Sequence, residues 1–174
     1  MTRGVPGPTD RLRFREYTSE DLNFVSDLFS DGRARQFYPT MGDEARHRSW
    51  IDWNLASYRD HGFGLWVIEL LDGAAQLGDC GLTFQDVAGI KMLEVGYHLV
   101  EEHRGRGYAT EAAAVCLDYA FDVVSVETVC SIVDPRNEPS ISVAARIHDE
   151  RTSFIGADGN EMLLFTTERV HRRT

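Results

Sequence analysis

Residues 103–112 read HRGRGYATEA, and they directly follow the apolar stretch MLEVGYHLV at residues 92–100. The two glycines relax the steric limits on the backbone, so successive N–H groups can point into one concavity where a helix begins. The positive end of that helix, with Arg104 and Arg106 beside it, would favour an anion such as a phosphate. By itself the turn is either an ordinary strand-to-helix connection or an anion-binding loop.

Two common phosphate-binding loops do not fit this stretch. The pattern GxxxxGK[ST] needs a Gly-Lys pair, and the chain contains none. The dinucleotide pattern GxGxxG needs a third glycine, but position 110 is Thr, and no parallel βαβ pattern precedes the loop. A P-loop is therefore excluded and a dinucleotide-binding loop is disfavoured.

The chain before the loop predicts one strand, two helices and three strands. Alternation predicts a strand in RLRFREY, and helical spacing of apolar residues predicts a first helix after it and a second over about Asp43–His61, ended by Gly62. The intervening RARQFYPTM at residues 33–41 reads as a connection. The segments GLWVIELL, QLGDCGLTF and KMLEVGYHLV are separated by turn formers and predict an antiparallel meander.

The chain after the loop predicts a helix, a strand, a helix and two strands. Small residues between Ala109 and Phe121 indicate a helix that can lie close on a sheet, and TVCSIVD reads as a buried strand. A helix is predicted from Asn137 to Ile147, because proline is tolerated in the first turn, and the strands TSFIG and MLLFTTERV follow. The fold class is therefore mixed α/β (α+β), with a mostly antiparallel central sheet flanked by helices.

Composition limits the classes of function. The 174 residues suit one domain, predicted over residues 10–174 after a flexible leader at residues 1–9 that holds two prolines and two glycines. Acidic residues outnumber basic ones by 28 to 18, which argues against a nucleic-acid partner and favours a cationic or amine-bearing one. Signal and membrane-spanning segments are not recognised, so no membrane partner and a cytoplasmic location are expected.

The cysteines and histidines indicate neither a disulfide framework nor a metal site. Cys80, Cys116 and Cys130 form an odd set without a CxxC pair, and the six histidines lack ligand spacing. Cys80 has no neighbouring histidine in sequence and sits in a strand-like run, so it is interpreted as a core thiol rather than a nucleophile. We expect reduced, buried thiols and no metal.

A third loop pattern does fit. Arg104, Gly107 and Ala109 match the R-x-x-G-x-A signature of the GCN5-related N-acetyltransferases (GNAT), and EVGYHLVEEHRGRGYATEA with DPRNEPSISVAARI resembles the RimJ/RimL-like branch of that superfamily. The resemblance covers nearly the whole chain, because the predicted order of elements is also the order of that family. It implies a GNAT-type fold, with acetyl-CoA as the cosubstrate.

The resemblance also implies which residues hold acetyl-CoA. The loop would bind the pyrophosphate, the end of the preceding strand would line the pantetheine arm, and the N-x-x-S of the later helix would border the same arm. The cofactor-binding residues implied in this way are Leu99, Val100, Arg104, Gly105, Arg106, Gly107, Tyr108, Ala109, Thr110, Asn137 and Ser140. Without the resemblance, Asn137 reads equally well as a turn and cap residue.

Two positions depart from the family pattern. The family's L-G-F ending of the later helix falls on IHD at residues 147–149, so His148 replaces the glycine and leaves the local turn geometry open. Ala144 stands where many relatives outside this branch carry a tyrosine that protonates the departing thiolate. The general acid is therefore unassigned.

The catalytic candidates lie on the strand before the loop. Glu94 in LEVGY is at a position that resembles the superfamily's catalytic glutamate, and it could act as base directly or through a water. The alternative is a glutamate on a solvent or edge face. Strand alternation puts His98 on the face of Glu94, which makes it a second titratable candidate, with Tyr97 opposite.

The predicted function is acetyl transfer from acetyl-CoA to a primary amine, either a protein N-terminal α-amine or a small-molecule amine, by direct attack. Four aromatic residues of the N-terminal helices and their connection could line the acceptor side: Phe37, Tyr38, Trp50 and Trp53. The alternatives are a non-catalytic acyl-CoA-binding or sensing module and a protein that binds another nucleotide with the same turn. A homodimer is compatible with the sequence, which leaves the oligomeric state open.

Overall fold

The computed structural model describes residues 4–172 of the chain. Short 3₁₀ turns lie at Glu101–His103 and Arg169–Arg172, and a π-helical turn at Ala120–Val124 extends the fourth α-helix. The strands and α-helices in chain order are β1 (Leu12–Arg15), α1 (Leu22–Leu28), α2 (Gly32–Phe37), α3 (Glu44–His61), β2 (Leu65–Leu70), β3 (Gln76–Val87), β4 (Ile90–Leu99), α4 (Tyr108–Tyr119), β5 (Thr128–Val133), α5 (Glu138–Ile147), β6 (Glu150–Ile155) and β7 (Glu161–Glu168).

The strands form one sheet of seven strands in the order β1-β2-β3-β4-β5-β7-β6. Neighbouring strands run antiparallel, except that β4 and β5 run parallel. The predicted antiparallel meander is β2, β3 and β4, and the prediction of a mixed, mostly antiparallel sheet flanked by helices is confirmed.

The parallel ladder between β4 and β5 is short. It pairs Leu93 with Val129 and Glu94 with Cys130, and the two strands then diverge. Where the ladder ends, a side chain makes the next hydrogen bond between the strands: the hydroxyl of Ser131 donates to the carbonyl of Val95 at 2.8 Å. The divergence leaves an opening between the last residues of β4 and the start of α5.

The two faces of the sheet are covered by different helices. The small residues of α4 (Ala112, Ala113 and Cys116) are fully buried on one face against apolar side chains of β2, β3 and β4 such as Trp66 and Leu82. The helices α1 and α3 and the start of α2 bury a second apolar cluster on the other face. The close approach of α4 follows from its small side chains, as the sequence predicts.

The helix boundaries agree with the sequence except at the predicted connection. Asp43 caps α3 by accepting from the N–H of Arg46, and Gly62 ends the helix at a φ of +76°. The connection at residues 33–41 instead contains α2. Asp31 starts this helix by accepting from the N–H groups of Arg33 and Ala34. Six residues are too few to show a helical period, so the sequence pattern missed it.

The leader lies on α4 over its described part, residues 4–9, which contains no helix or strand. The hydroxyl of Tyr119 donates to the carbonyl of Gly4 at 2.5 Å, Thr9 donates to Glu111 at 2.5 Å, and Pro6 is buried. Flexibility of the leader stays a prediction, and residues 1–3 of it lie outside the described residues.

The two departures from the family pattern are both buried. Ala144 is fully buried beside Val133 and Phe165. His148 has an extended backbone (φ −112°, ψ 154°), so this position does not require a glycine. Its Nε2 lies 3.0 Å from the hydroxyl of Ser131 and its Nδ1 lies 3.2 Å from that of Thr167. The histidine thus joins the end of α5 to β5 and β7, close to the point where β5 diverges from β4.

Three further sequence predictions concern thiols, metal and membrane. Cys80, Cys116 and Cys130 are free and buried, and Cys80 packs in the core with a thiol pKa raised by burial. No group of three or more His, Cys, Asp or Glu side chains in the described part of the chain could hold a metal ion. None of the helices in residues 4–172 has the length and apolar character needed to cross a membrane.

We expect the substitution His148→Ala to destabilise the fold. It removes the imidazole contacts to the buried hydroxyls of Ser131 and Thr167, which keep their other hydrogen bonds, and each lost hydrogen bond costs about 0.5–1.5 kcal/mol. Urea unfolding measures the change in the free energy of unfolding. His61→Ala is the control, because His61 is exposed on the surface. Equal urea midpoints for His148→Ala and the wild-type chain would contradict the prediction.

Candidate active site

The glycine loop, residues 104–107, joins the 3₁₀ turn after β4 to the start of α4. Gly105 and Gly107 have φ values of +76° and +81°, which side chains other than glycine rarely adopt. The first N–H of α4 with an acceptor inside the helix is that of Glu111, which donates to the carbonyl of Gly107 at 3.0 Å. The N–H groups of the preceding first turn have no acceptor within the helix, so they are available to an anion.

The side chain of Arg104 is used to brace the loop. Its guanidinium donates to both carboxylate oxygens of Asp31 at 3.0 and 2.7 Å, and to the carbonyl of Leu99 at 3.1 Å. This contact holds the pKa of Asp31 below its usual range. The same carboxylate caps α2, so one ion pair connects the glycine loop to the N-terminal helices. The loop is therefore left to bind anions mainly through its backbone.

Arg11 braces the loop from the other side. Its guanidinium donates to the carbonyl of Arg106 at 3.1 Å, forms an ion pair with Glu111, and lies 4.5 Å from the centre of the Tyr108 ring. The side chain of Arg106 is exposed. Of the two loop arginines, only Arg106 keeps a guanidinium that can turn toward an anion.

Three cavities follow one another from the glycine loop to the far side of the sheet. The loop cavity, about 850 Å³, is lined by the glycine loop and the first turn of α4. The narrow channel, about 90 Å³, shares Leu99, Ala109, Pro139 and Val143 with the loop cavity. The wide cleft, about 1190 Å³, lies between β4, β5 and the N-terminal helices. The channel and the cleft share six residues: Phe37, Tyr38, Tyr97, His98, Asn137 and Ser140.

The cavities bring together most of the residues that the sequence predicted for cofactor binding. The loop cavity is lined by Leu99, Arg104, Gly105, Gly107, Tyr108, Ala109 and Thr110. Asn137 and Ser140 lie where the channel meets the cleft, and Asn137 caps α5 by accepting from the N–H of Ser140 at 3.4 Å. Arg106 and Val100 lie apart from these cavities. Val100 packs against the cluster under α1 and α3.

Glu94 faces the wide cleft from β4. One carboxylate oxygen accepts from the N–H of Ile132 at 3.1 Å and the other from the hydroxyl of Thr83 at 3.2 Å. Burial raises the pKa of this carboxyl despite both hydrogen bonds. The N–H of Ile132 is free to reach Glu94 because β5 has left the ladder at Cys130. Glu94 is thus a fixed, partly desolvated carboxylate, not a solvent-face glutamate.

His98 lies on the same face as Glu94, as alternation predicts, and it has a partner that the sequence analysis missed. Its Nδ1 is 2.6 Å from a carboxylate oxygen of Asp79, which is fully buried. Asp79 lies directly opposite His98 in the pairing of β3 with β4. Period-two alternation along QLGDCGLTF could assign Asp79 to a face, but only the register of the two strands selects its partner.

The four predicted aromatic residues, Phe37, Tyr38, Trp50 and Trp53, all line the wide cleft. Tyr97 lies on the opposite face of β4, where its hydroxyl donates to the carbonyl of Ser140 at 2.7 Å and spans the opening between β4 and α5. The site therefore combines an anion-binding loop, a narrow apolar channel, and a cleft with a carboxylate and an imidazole at the junction.

Comparison with known proteins identifies the family. The sequence profile described as "Acetyltransferase (GNAT) domain" matches residues 11–148. The chain belongs to the GNAT acetyltransferases. This GNAT domain is 34% identical over 140 residues to the Bacillus subtilis (strain 168) protein described as "Uncharacterized protein YkkB", covering 80% of this chain and 81% of that protein.

Solved structures agree with this assignment. An acetyltransferase from Agrobacterium tumefaciens str. C58 is 28% identical, covers 95% of both chains and superposes with a TM-score of 0.79. Mycobacterium smegmatis RimJ, whose structure is a complex with CoA-disulfide, is 23% identical, with 100% of this chain and 93% of RimJ covered and a TM-score of 0.72. Membership of the GNAT family makes this protein an acetyl-CoA-dependent acetyltransferase, and its fold is the one that its sequence predicted.

We expect Gly107→Val to abolish acetyl-CoA binding. A β-branched residue cannot adopt a φ of +81° without strain, so the loop must change shape and its N–H groups must turn. Isothermal titration calorimetry with acetyl-CoA measures the affinity.

The matched control for this prediction is Gly89→Val. Gly89 has a φ of +88° in the hairpin turn between β3 and β4, where an added Cβ meets no atom within 4 Å, whereas at Gly107 it would lie in ordinary contact with Arg11, 3.6 Å away. The control carries the same backbone strain far from the loop, so it should bind acetyl-CoA normally. Equal affinities in both variants would show that the glycine loop does not hold acetyl-CoA.

Proposed function

We propose that this GNAT enzyme is an N-acetyltransferase of the RimJ/RimL-like branch that moves the acetyl group of acetyl-CoA to a primary amine by direct attack. The acceptor is a protein N-terminal α-amine or a small-molecule amine. The observation that carries the proposal is the junction of the narrow channel with the wide cleft beside His98, with Glu94 facing the cleft. A thioester in the channel and an amine in the cleft would meet there, as direct transfer requires.

The three cavities fit the parts of acetyl-CoA in order. The glycine loop and the N–H groups of the first turn of α4, which have no acceptor within the helix, fit the pyrophosphate. The channel beyond it is narrow and is lined by Leu99, Pro139 and Val143, which fits the thin pantetheine arm. Asn137 and Ser140 border the end of that arm, where polar groups can hydrogen-bond its amides. The acetyl group then reaches the junction.

Glu94 acts as the base of this mechanism. An amine attacks a thioester only in its neutral form, so the incoming ammonium must lose a proton. Burial raises the pKa of Glu94, which makes its carboxylate a stronger base than an exposed glutamate. The hydrogen bonds from Ile132 and Thr83 keep both oxygens in place. Glu94 takes the proton directly or through a water in the cleft.

The lining of the wide cleft fits a cationic acceptor. Four carboxylates line it (Glu94, Asp134, Asp158 and Glu161) together with two arginines, Arg46 and Arg136. Asp134 pairs with Arg136 at 2.6 Å, which neutralises one arginine. The aromatic faces of the cleft can also attract a cation. An α-amine, with an ordinary pKa of about 7.7–8.0, needs less help from a base than an alkyl amine near 10.4.

The cytoplasmic location stays a prediction of the sequence, and the three free, buried thiols fit a reducing compartment. The homodimer also stays a prediction, which light scattering of the purified chain can test. Nucleic acid and membranes are not expected as partners, because the chain carries a net charge of −10.

An acceptor screen tests the proposed function. The purified chain is incubated with acetyl-CoA and a panel of peptides with varied first residues, polyamines, aminoglycosides and amino acids, and the release of CoA thiol is measured. We expect turnover with at least one class of amine and none with matched alcohols. Acetyl-CoA binding without turnover of any amine would favour the non-catalytic acyl-CoA-binding module.

We expect Glu94→Gln to lower kcat by about 10²–10⁴, the usual contribution of a positioned base, with acetyl-CoA affinity nearly unchanged. The loss should shrink as pH rises, because more of the amine then arrives without its proton. In the wild-type enzyme, kcat/KM should fall as pH drops through the pKa of Glu94, which burial raises above its ordinary value. Initial rates from pH 6 to 9 measure the first effect, and extending them to lower pH measures the second.

Glu161→Gln is the matched control, because Glu161 also lines the wide cleft and hydrogen-bonds Ser153. If carboxylates in the cleft only attract the cationic acceptor, both variants should raise the KM of the amine and leave kcat nearly unchanged. Such a shared result, or unaltered kinetics in Glu94→Gln, would remove Glu94 from the mechanism.

A further inference from the structure

Asp79 is a buried carboxylate that the mechanism above leaves unused. It lies in β3 with no exposed surface. One oxygen contacts Nδ1 of His98 at 2.6 Å, and the other accepts from the hydroxyl of Tyr17 at 2.7 Å and from the indole N–H of Trp50 at 3.2 Å. Every hydrogen-bond donor around Asp79 is therefore neutral, except the imidazole when it carries a second proton.

The ring of His98 is held in one orientation. The rings of Phe29, Tyr38 and Trp50 surround it, with centroids 5.7, 4.8 and 5.5 Å away. Since Nδ1 faces Asp79, the neutral ring keeps its proton on Nδ1. Within the described residues Nε2 hydrogen-bonds to no protein atom, and 13% of the side chain is exposed. Nε2 is the nitrogen left to the substrates.

His98 and Glu94 serve different sides of the junction. Glu94 lines the wide cleft, where the amine binds in the proposed function, and is absent from the lining of the narrow channel. His98 lines both, next to Leu99 and Asn137, which border the path of the pantetheine arm. The carboxylate is thus on the side of the amine, and the imidazole is at the end of the channel that would hold the thioester sulfur.

His98 is the partner of Asp79 that can carry a second proton, and Nε2 is the atom that would hold it. An ionised carboxylate without exposed surface needs a compensating charge, because burial of an unpaired charge is costly. Among the titratable side chains that face the pair, Tyr17, Tyr38 and Tyr58 stay neutral, since burial raises the pKa of each. Glu94 adds negative charge. In the part of the chain that the structure describes, no other side chain in hydrogen-bond contact with Asp79 can become a cation.

We propose that His98 donates the proton that the departing CoA thiolate requires, and that Asp79 is the positioning residue that holds His98 for this step. The inference rests on the proposed function. As the carbon–sulfur bond breaks, its electron pair stays on sulfur, the Nε2 proton of His98 moves to that sulfur, and the imidazole becomes neutral. The ammonium first gives one proton to solvent through Glu94, and the neutral amine then forms the carbon–nitrogen bond. Its nitrogen loses a second proton to Glu94, which again releases it to solvent, and solvent returns a proton to His98. This assigns a general acid to an enzyme that carries Ala144.

Two variants test the proposal, Asp79→Asn and His98→Gln. The glutamine of His98→Gln keeps an N–H donor that can reach Asp79, but it cannot transfer a proton. If Asp79→Asn fails to fold, His98→Gln still tests the proton transfer in a chain that keeps the contact with Asp79. We expect His98→Gln to lower kcat by about 10²–10⁴ with acetyl-CoA affinity retained. In Asp79→Asn, kcat should fall by at least about tenfold with acetyl-CoA affinity retained, because the carboxylate no longer holds the ring with its proton on Nδ1.

A spectroscopic measurement makes the test independent of turnover. The ¹⁵N shifts of the His98 ring report which nitrogen carries a proton, and in Asp79→Asn the proton of the neutral ring should no longer be fixed on Nδ1. His61→Ala is the control for loss of an imidazole, because His61 lines neither the channel nor the cleft. Its kinetics should match those of the wild-type enzyme.

Two results would overturn the inference. The first is a His98 ring whose ¹⁵N shifts are the same with aspartate or asparagine at position 79. The second is a His98→Gln enzyme that keeps kcat and only raises the KM of the amine, because His98 would then seat the acceptor. Failure of the proposed function has a different signature, namely no turnover in any chain while the ¹⁵N shifts of the His98 ring still change in Asp79→Asn.

Discussion

The divergence of β4 from β5 is the constraint on which the site depends. The two strands pair at only two positions. Beyond them, side chains instead of a backbone ladder make the hydrogen bonds along both edges of the gap. Ser131 donates to the carbonyl of Val95, Glu94 accepts from Ile132, and Tyr97 reaches across to α5. The narrow channel passes through this gap. A continuous parallel ladder would close it, and would leave the N–H of Ile132 unavailable to Glu94.

Strand alternation separates the chemistry from the packing. On one face, the pairing of β3 with β4 brings Asp79 to His98 and Thr83 to Glu94. On the other face, Leu82 and Val95 pack beneath the small residues of α4. The catalytic candidates can therefore be buried beside a cavity without weakening the apolar core, because a different set of helices covers each face of the sheet.

Most of the positive charge near the glycine loop is already paired with carboxylates. Arg104 is paired with Asp31 and Arg11 is paired with Glu111, so two of the cations nearest the loop are already compensated. Their ion pairs hold the loop against α2 and against the chain that precedes β1. What remains for a phosphate is mostly backbone N–H, which requires a fixed loop shape and explains why two glycines with positive φ occur there.

The sequence by itself determined the order of the elements, the mixed sheet, the anion-binding turn at HRGRGYATEA, and the shared face of Glu94 and His98. These follow from local rules, since hydrophobic period, turn chemistry and strand alternation act over a few residues. It missed α2, because six residues are too few to show a period. Only the tertiary structure decided that Asp79 partners His98, that Asp31 occupies Arg104, and that His148 joins three elements instead of replacing a turn glycine. Each of these contacts joins residues 17 or more positions apart in sequence, and it depends on strand register and helix docking, which no local pattern encodes.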